Sequence, residues 1–250
     1  MSIRLDNVSF TYLKNTSYET KALDNVSLEI KDGEFVGIIG ETGSGKSTLL
    51  DIIAGLNSPT EGKVSVEGRV GVVFQFVEKQ LFESTVYKDV GFSIGELSND
   101  EKEKRIRETL EYLDFNYEKV KDMSPFEFSI GEKRKIAIAG VLVSRPDILI
   151  LDEVFAGLDY DGKKSLINIL NDLNLRGTTI ILISHSADII CECATRTVVL
   201  KDGTIYKDGK SSEVLKDYDF YIPRLSKRLN LSCIKYSELL EEIEKRYTHE

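Results

Sequence analysis

The stretch EFVGIIGETGSGKSTLLDII, residues 34–53, decides how the chain is read. Its first part, EFVGII, is a short apolar run of strand length bounded by the turn Lys31-Asp32-Gly33. Residues 47–56 carry helical patterning. Between them GETGSGKS, Gly40 to Ser47, matches G-x-x-x-x-G-K-[ST] in the context that motif requires, after a strand and opening a helix. Gly40, Gly43 and Gly45, with Thr42 and Ser44 between them, let backbone N–H groups close around phosphate oxygens, and the helix N-terminus adds a favourable dipole. Lys46 is spaced to reach the β- and γ-phosphates, Ser47 to ligate Mg²⁺, and Thr48 to add a hydroxyl contact. Eight matched positions argue against an ordinary glycine-rich turn.

Outward from this loop the chain alternates buried strands with helices. Residues 3–10 and 22–30 alternate apolar and polar positions, as half-buried strands do. Residues 63–75 predict short strands around Glu67-Gly68. From about 76 to 146 the texture is helical. Ser98 and Glu101 form a capping-box pattern ahead of the stripe Ile106, Leu110, Leu113; Pro125 interrupts; a second helix runs from about Gly131 to Ser144. Then come a strand at 147–151, a helix at 161–174, a strand at 178–184, a helix at 187–193 and a hairpin across Lys201-Asp202-Gly203. This order predicts an α/β fold around a parallel sheet covered on both faces. The last 34 residues read as a helical extension, with Tyr236, Leu240, Ile243 and Tyr247 as its apolar stripe.

A length of 250 residues is enough for a substantial core. The formal net charge of −9 argues against a bulk nucleic-acid binder. No apolar run approaches the ~18 residues of a membrane span, and the opening MSIRLDNVSF is no signal peptide. A cytoplasmic protein is expected. Cys191, Cys193 and Cys233 have no metal-ligand spacing with His185 or His249, so they read as reduced structural thiols.

Two further motifs accompany the phosphate loop. ILILDE, residues 148–153, is a buried strand ending in two carboxylates. Asp152 is placed to approach the Mg²⁺, and Glu153 to act as general base or water-positioner. Alone, a strand ending in an acid is a common helix cap; beside a phosphate loop it gains meaning. ISHS, residues 183–186, ends the next strand with His185, which suits a γ-phosphate contact at the carboxyl end of a parallel strand. Taken singly, His185 fits a structural histidine equally well.

In this order the pieces resemble an ATP-binding cassette (ABC) ATPase over at least residues 2–215. The resemblance rests on the loop at 40–48, Gln75 after a strand, the Ser-x-Gly-Glu signature at 129–132, LDE at 151–153, AGLD at 156–159 and His185. It implies a P-loop NTPase with a parallel core sheet, an antiparallel β subdomain, an inserted helical subdomain at about 76–146 and a C-terminal extension at 217–250. It implies ATP and Mg²⁺ as cofactors, Tyr12 stacking on adenine, and Gln75 sensing Mg²⁺ and the water. On its own, Tyr12 fits an ordinary strand aromatic too. The stretches FQFVEKQLFESTVYKDVGF (74–92) and IGEKRKIAIAGVLVSRPDILILDE (130–153) look like the ATPases of energy-coupling factor (ECF) importers, which serve vitamins and transition-metal ions. That likeness implies a second ABC ATPase subunit, a transmembrane coupling subunit and a small membrane capture protein as partners. It also implies a peripheral site on the cytoplasmic face of the membrane.

In such a dimer Ser129, Gly131 and Glu132 act in trans, on the partner's nucleotide. The usual Leu-Ser-Gly-Gly signature reads Phe128-Ser129-Ile130-Gly131 here, and Val77, Val154 and Phe155 replace a proline, a proline and a small residue. Ile130 restricts the backbone and adds bulk. The expectation is an asymmetric pair, with a heterodimer favoured over a homodimer; neutral drift at Ile130 is the alternative. Other readings are the ATPase of another importer type, served by a soluble binding protein, or a non-transport ATPase in assembly or scaffolding. A contact between residues 217–250 and the second ATPase is a further expectation.

Overall fold

β-strands with near-continuous apolar runs lie at the centre of each part of the chain, and strands with alternating patterns lie outside them. The computed structural model describes residues 2–216 and 235–247. In chain order the elements are β1 (Ser2–Tyr12), β2 (Thr20–Lys31), β3 (Phe35–Gly40), α1 (Lys46–Ile53), β4 (Glu61–Val66), β5 (Val70–Val73) and α2 (Val86–Val90). There follow α3 (Asn99–Tyr112), α4 (Tyr117–Val120), α5 (Ile130–Leu142), β6 (Ile148–Asp152) and α6 (Tyr160–Leu175). Last come β7 (Thr179–Ile183), α7 (Ala187–Cys193), β8 (Arg196–Lys201), β9 (Thr204–Lys210), α8 (Ser211–Val214) and a C-terminal helix Tyr236–Tyr247. The chain divides into two compact units, Met1–Glu67 with Ile180–Glu250, and Gly68–Thr179. The second unit is wider than the helical insertion expected at 76–146, because it includes β5 and β6.

In the first unit β1 pairs antiparallel with β2 and β4. The alternation read in β2 points Leu23, Val26, Leu28 and Ile30 inward, each 4 % exposed or less. Burying a side chain of this size contributes about 1.5–3 kcal/mol. β3 is buried along nearly its whole length and runs parallel to β7 and β8, with β9 closing antiparallel on β8. Gly37 admits α7 against the sheet: a Cβ there would stand 2.4 Å from Ile190 Cγ2. The buried, free thiols of Cys191 and Cys193 lie on α7, pushed up by burial to about 11 and about 12, as structural thiols are. Cys233 and His249 lie outside the described residues. The C-terminal helix packs on α7; on it Leu239 is buried and Leu240 is exposed.

In the second unit β5 and β6 pair in parallel, and helices α2 to α6 pack around them. Ser98 caps α3, accepting from the Glu101 amide, but the Glu101 carboxylate accepts from Arg105 Nε at 3.0 Å instead of closing the expected box; the stripe Ile106, Leu110 and Leu113 is fully buried, as the pattern predicted. Pro125 opens a single 3-10 turn, Pro125–Glu127. α5 begins at Ile130, one residue before the expected start, because Ser129 takes the cap position. Val77, Val154 and Phe155, three of the departures from the family pattern, are buried.

Candidate functional site

The strand β3 delivers the phosphate loop. Parallel pairing registers Ile38 with Ile183, so Gly40 and His185 leave the sheet at the same edge, two residues on. This is the carboxyl edge, where α/β folds bind ligands. His185 is exposed there. Gly43 and Gly45 hold φ at 82° and 100°, the left-handed region that only glycine enters without cost. A Cβ on Gly45 would lie 2.6 Å from the Ala22 carbonyl oxygen. Lys46 is buried and curls its Nζ over the loop, donating to the Gly40 and Glu41 carbonyls at 2.8 Å each. The ammonium is therefore already inside the cradle that phosphates would enter.

Tyr12 stands beside the loop. Its hydroxyl and the Thr48 hydroxyl are 3.1 Å apart, and its ring meets Phe10 edge-on at 4.8 Å. The residue is 41 % exposed. Strand alternation alone does not reveal the Thr48 contact, which joins residues 36 apart.

The second unit gathers the carboxylates and the glutamine. Val73 of β5 is registered with Leu151 of β6, so Gln75 and Glu153 each stand two residues beyond a paired strand end, at one edge. Asp152 is the last residue of β6. Glu153 has φ 50°, a left-handed conformation costing a non-glycine residue of order 1–3 kcal/mol. Gln80 holds the Gln75 segment, accepting from the Phe74 amide at 3.2 Å and donating to the Val72 carbonyl at 3.1 Å. Sequence reading did not single out Gln80, whose backbone partners lie six and eight positions back along the chain. It also missed Asp89, buried and accepting from the Phe82 and Glu83 amides at 2.9 and 2.8 Å.

The signature stands at the N-terminus of α5. Ser129 and Glu132 form a reciprocal capping box there, while Ile130 is 56 % exposed. Gly131 follows in the first turn, and a cleft of about 510 Å³ runs past it, lined by Ser129, Ile130, Arg134, Leu158 and Asp159.

The donor chemistry suits a nucleotide with Mg²⁺. In the first unit Lys46 and the loop amides offer the complement of phosphate, with the Ser47 hydroxyl beside them; in the second, Asp152 and Gln75 offer hard oxygen donors of the kind Mg²⁺ takes.

A family model described as ABC transporter matches residues 23–156. Over 237 residues the chain is 42% identical to the energy-coupling factor transporter ATP-binding protein EcfA2 of Clostridium tetani, covering 88% of this chain and 82% of that protein. The solved structure of cbiO1 from Clostridium perfringens, part of the ABC transporter complex cbiONQ, superposes with a TM-score of 0.79 at 31% identity, over 92% of this chain and 98% of that one. The dimeric post-hydrolysis structure of the ATP-binding cassette MJ0796, bound to ADP and Pi, superposes at 0.76 with 31% identity, over 84% and 98%. With its phosphate loop, signature helix and paired carboxylates in this fold, the chain belongs to the ABC transporter ATPases, using ATP and Mg²⁺, and within them to the energy-coupling factor ATP-binding proteins.

Proposed function

We propose that this chain powers an importer of the energy-coupling factor type, bringing in a vitamin or transition-metal ion, as one of two cassettes beneath a transmembrane coupling subunit. The observation that carries this reading is the exposed signature. Ser129 and Ile130, both exposed, stand at the N-terminus of α5. That arrangement suits a second chain's nucleotide. The association of cbiO1 with a transporter complex supports the membrane setting.

In this reading Lys46 neutralises the β- and γ-phosphates, and Ser47, Asp152 and Gln75 hold Mg²⁺. Bound Mg²⁺ supplies charge neutralisation across the phosphates during transfer. Glu153 orients the attacking water and accepts its proton. His185 touches the γ-phosphate, and Tyr12 offers its ring to adenine. Ser129, Gly131 and Glu132 serve the partner's nucleotide. Ile130 weakens that second site, which favours a heterodimer.

Two exposed aromatics, Phe82 and Phe92, meet edge-on at 4.8 Å beside a groove of about 280 Å³. An apolar patch of this kind suits a membrane subunit's cytoplasmic helix. Among the described residues no helix is long and apolar enough to cross a membrane, so a peripheral place on the cytoplasmic face depends on such a subunit.

The test is affinity capture of the tagged chain from gently solubilised native membranes, with mass spectrometry of what accompanies it. A second cassette ATPase, an integral coupling subunit and a small membrane capture protein are the expected result. A soluble binding protein in place of the capture protein would move the chain to another importer type. Recovery without any membrane protein would overturn transport.

A further inference from the structure

Arg134 lies one turn into α5 and is 5 % exposed. Its Nη1 donates to the carbonyl of Ala156. The Ala156 amide in turn donates to the Glu153 carbonyl at 3.2 Å. Two hydrogen bonds therefore run from the signature helix to the backbone of Glu153, the residue held at φ 50°. The Nε of Arg134 is buried and has no hydrogen-bond partner among the described residues. A 3-10 turn, Val77–Lys79, packs against α5 and brings in the segment after Gln75. On that turn Glu78 is exposed, and its charge favours the protonated guanidinium against the burial that lowers its pKa.

All three segments lie within residues 68–179. An apolar side chain would fill this place without removing a charge from water. A guanidinium with an unfilled donor is costly where only packing is needed. Its five donors in a rigid fork do suit a junction between several backbone segments. Buried polar atoms left unsatisfied call for an explanation, and one is strain held in reserve at a functional site.

We propose that Arg134 is a positioning residue that fixes the Glu153 backbone from the signature helix, and that its Nε takes the Glu78 carboxylate when the Gln75 segment shifts. Engagement of the signature by the partner's nucleotide then bears on Glu153 of the same chain through Ala156. The inference rests on Glu153 being the hydrolytic carboxylate.

The experiment uses the full-length chain purified with the subunits that accompany it. ATP turnover, KM and the affinity for a non-hydrolysable ATP analogue are compared for R134M, R134K, E78Q, R134M with E78Q, and E153Q. R134M lowers kcat by about tenfold, while KM and analogue affinity stay within about twofold, the split expected when ground-state binding is untouched. R134K restores part of the loss. E78Q costs about threefold alone and nothing further on top of R134M, as for two members of one unit. Unchanged kcat in R134M, or analogue affinity falling in parallel with kcat, overturns the positioning role. Additive losses overturn the Glu78 step. If R134M melts below the assay temperature, R134K and E78Q decide: wild-type turnover in both overturns the proposal. Turnover retained by E153Q shows instead that the assignment of Glu153 is wrong.

Discussion

Ser129 Oγ donates to Glu132 Oε2 at 2.7 Å, and the same carboxylate oxygen accepts the Ser129 amide at 2.9 Å. The signature serine thus commits its proton to a carboxylate three residues on in its own chain. Those bonds, the hydroxyl first and the amide second, hold the Glu132 carboxyl below the usual carboxylate range. A lowered folded-state pKa contributes stability that is present above the unfolded value and lost as pH falls through the folded one. Glu132→Ala is therefore expected to cost about 0.5–1 kcal/mol at neutral pH. The gap to wild type narrows as pH falls below the unfolded carboxylate range and closes only below the lower folded-state value. Urea unfolding at pH 7 and at a series of falling pH values measures it; a gap that does not narrow with acid contradicts the assignment.

Gly45→Ala tests the cradle. At φ 100° a methyl group is forced to 2.6 Å from the Ala22 carbonyl, so both backbone strain and a clash oppose it. A loss of at least ~1 kcal/mol follows. Nucleotide affinity, followed with a fluorescent ATP analogue, falls with it. Wild-type melting temperature and affinity would mean that the loop has slack that its contacts do not suggest.

Lys46→Ala separates binding from folding. It removes two hydrogen bonds to the Gly40 and Glu41 carbonyls, and those groups can turn to water. Stability changes by about 1 kcal/mol or less. ATP affinity drops by about tenfold or more, because a charge-assisted phosphate contact is lost. Isothermal titration with ATP and Mg²⁺ reads the outcome.

Glu153→Gln keeps the side-chain volume and a hydrogen-bonding oxygen but cannot accept a proton. Turnover is expected to fall about 10²–10⁴-fold. ATP binding is retained, since Lys46 and the loop glycines are untouched. Equal losses in binding and turnover would assign Glu153 to ground-state contact.

Ile130→Gly probes asymmetry. The side chain is 56 % exposed in the first turn of α5, so its removal leaves the core intact. In the purified pair, turnover should rise by about twofold as the site completed by this signature gains activity. An unchanged rate, with two sites already equal, would make Ile130 neutral.

The local chemistry was legible along the chain. The loop, its flanking strand and helix, the Ser98 cap and the apolar stripe of α3 depend on contacts between near neighbours, and spacing reveals such contacts directly. The Ser129–Glu132 box has the same local spacing, yet the sequence reading took those residues only as a signature and so started the helix one residue late, at Gly131. Family resemblance, carried by long stretches around Gln75 and Glu153, supplied roles that spacing could not.

Tertiary structure decided what joins distant residues. Register alone sets Gln75 beside the end of β6 and His185 beside the start of the phosphate loop. Thr48 meets the Tyr12 hydroxyl, Leu239 is buried on the C-terminal helix while Leu240 is exposed, and Arg134 reaches the Ala156 carbonyl. A hydrophobic period tells which face of an element is buried, but not against which partner; strand order and helix docking choose that partner, and with it the atoms a polar side chain can reach.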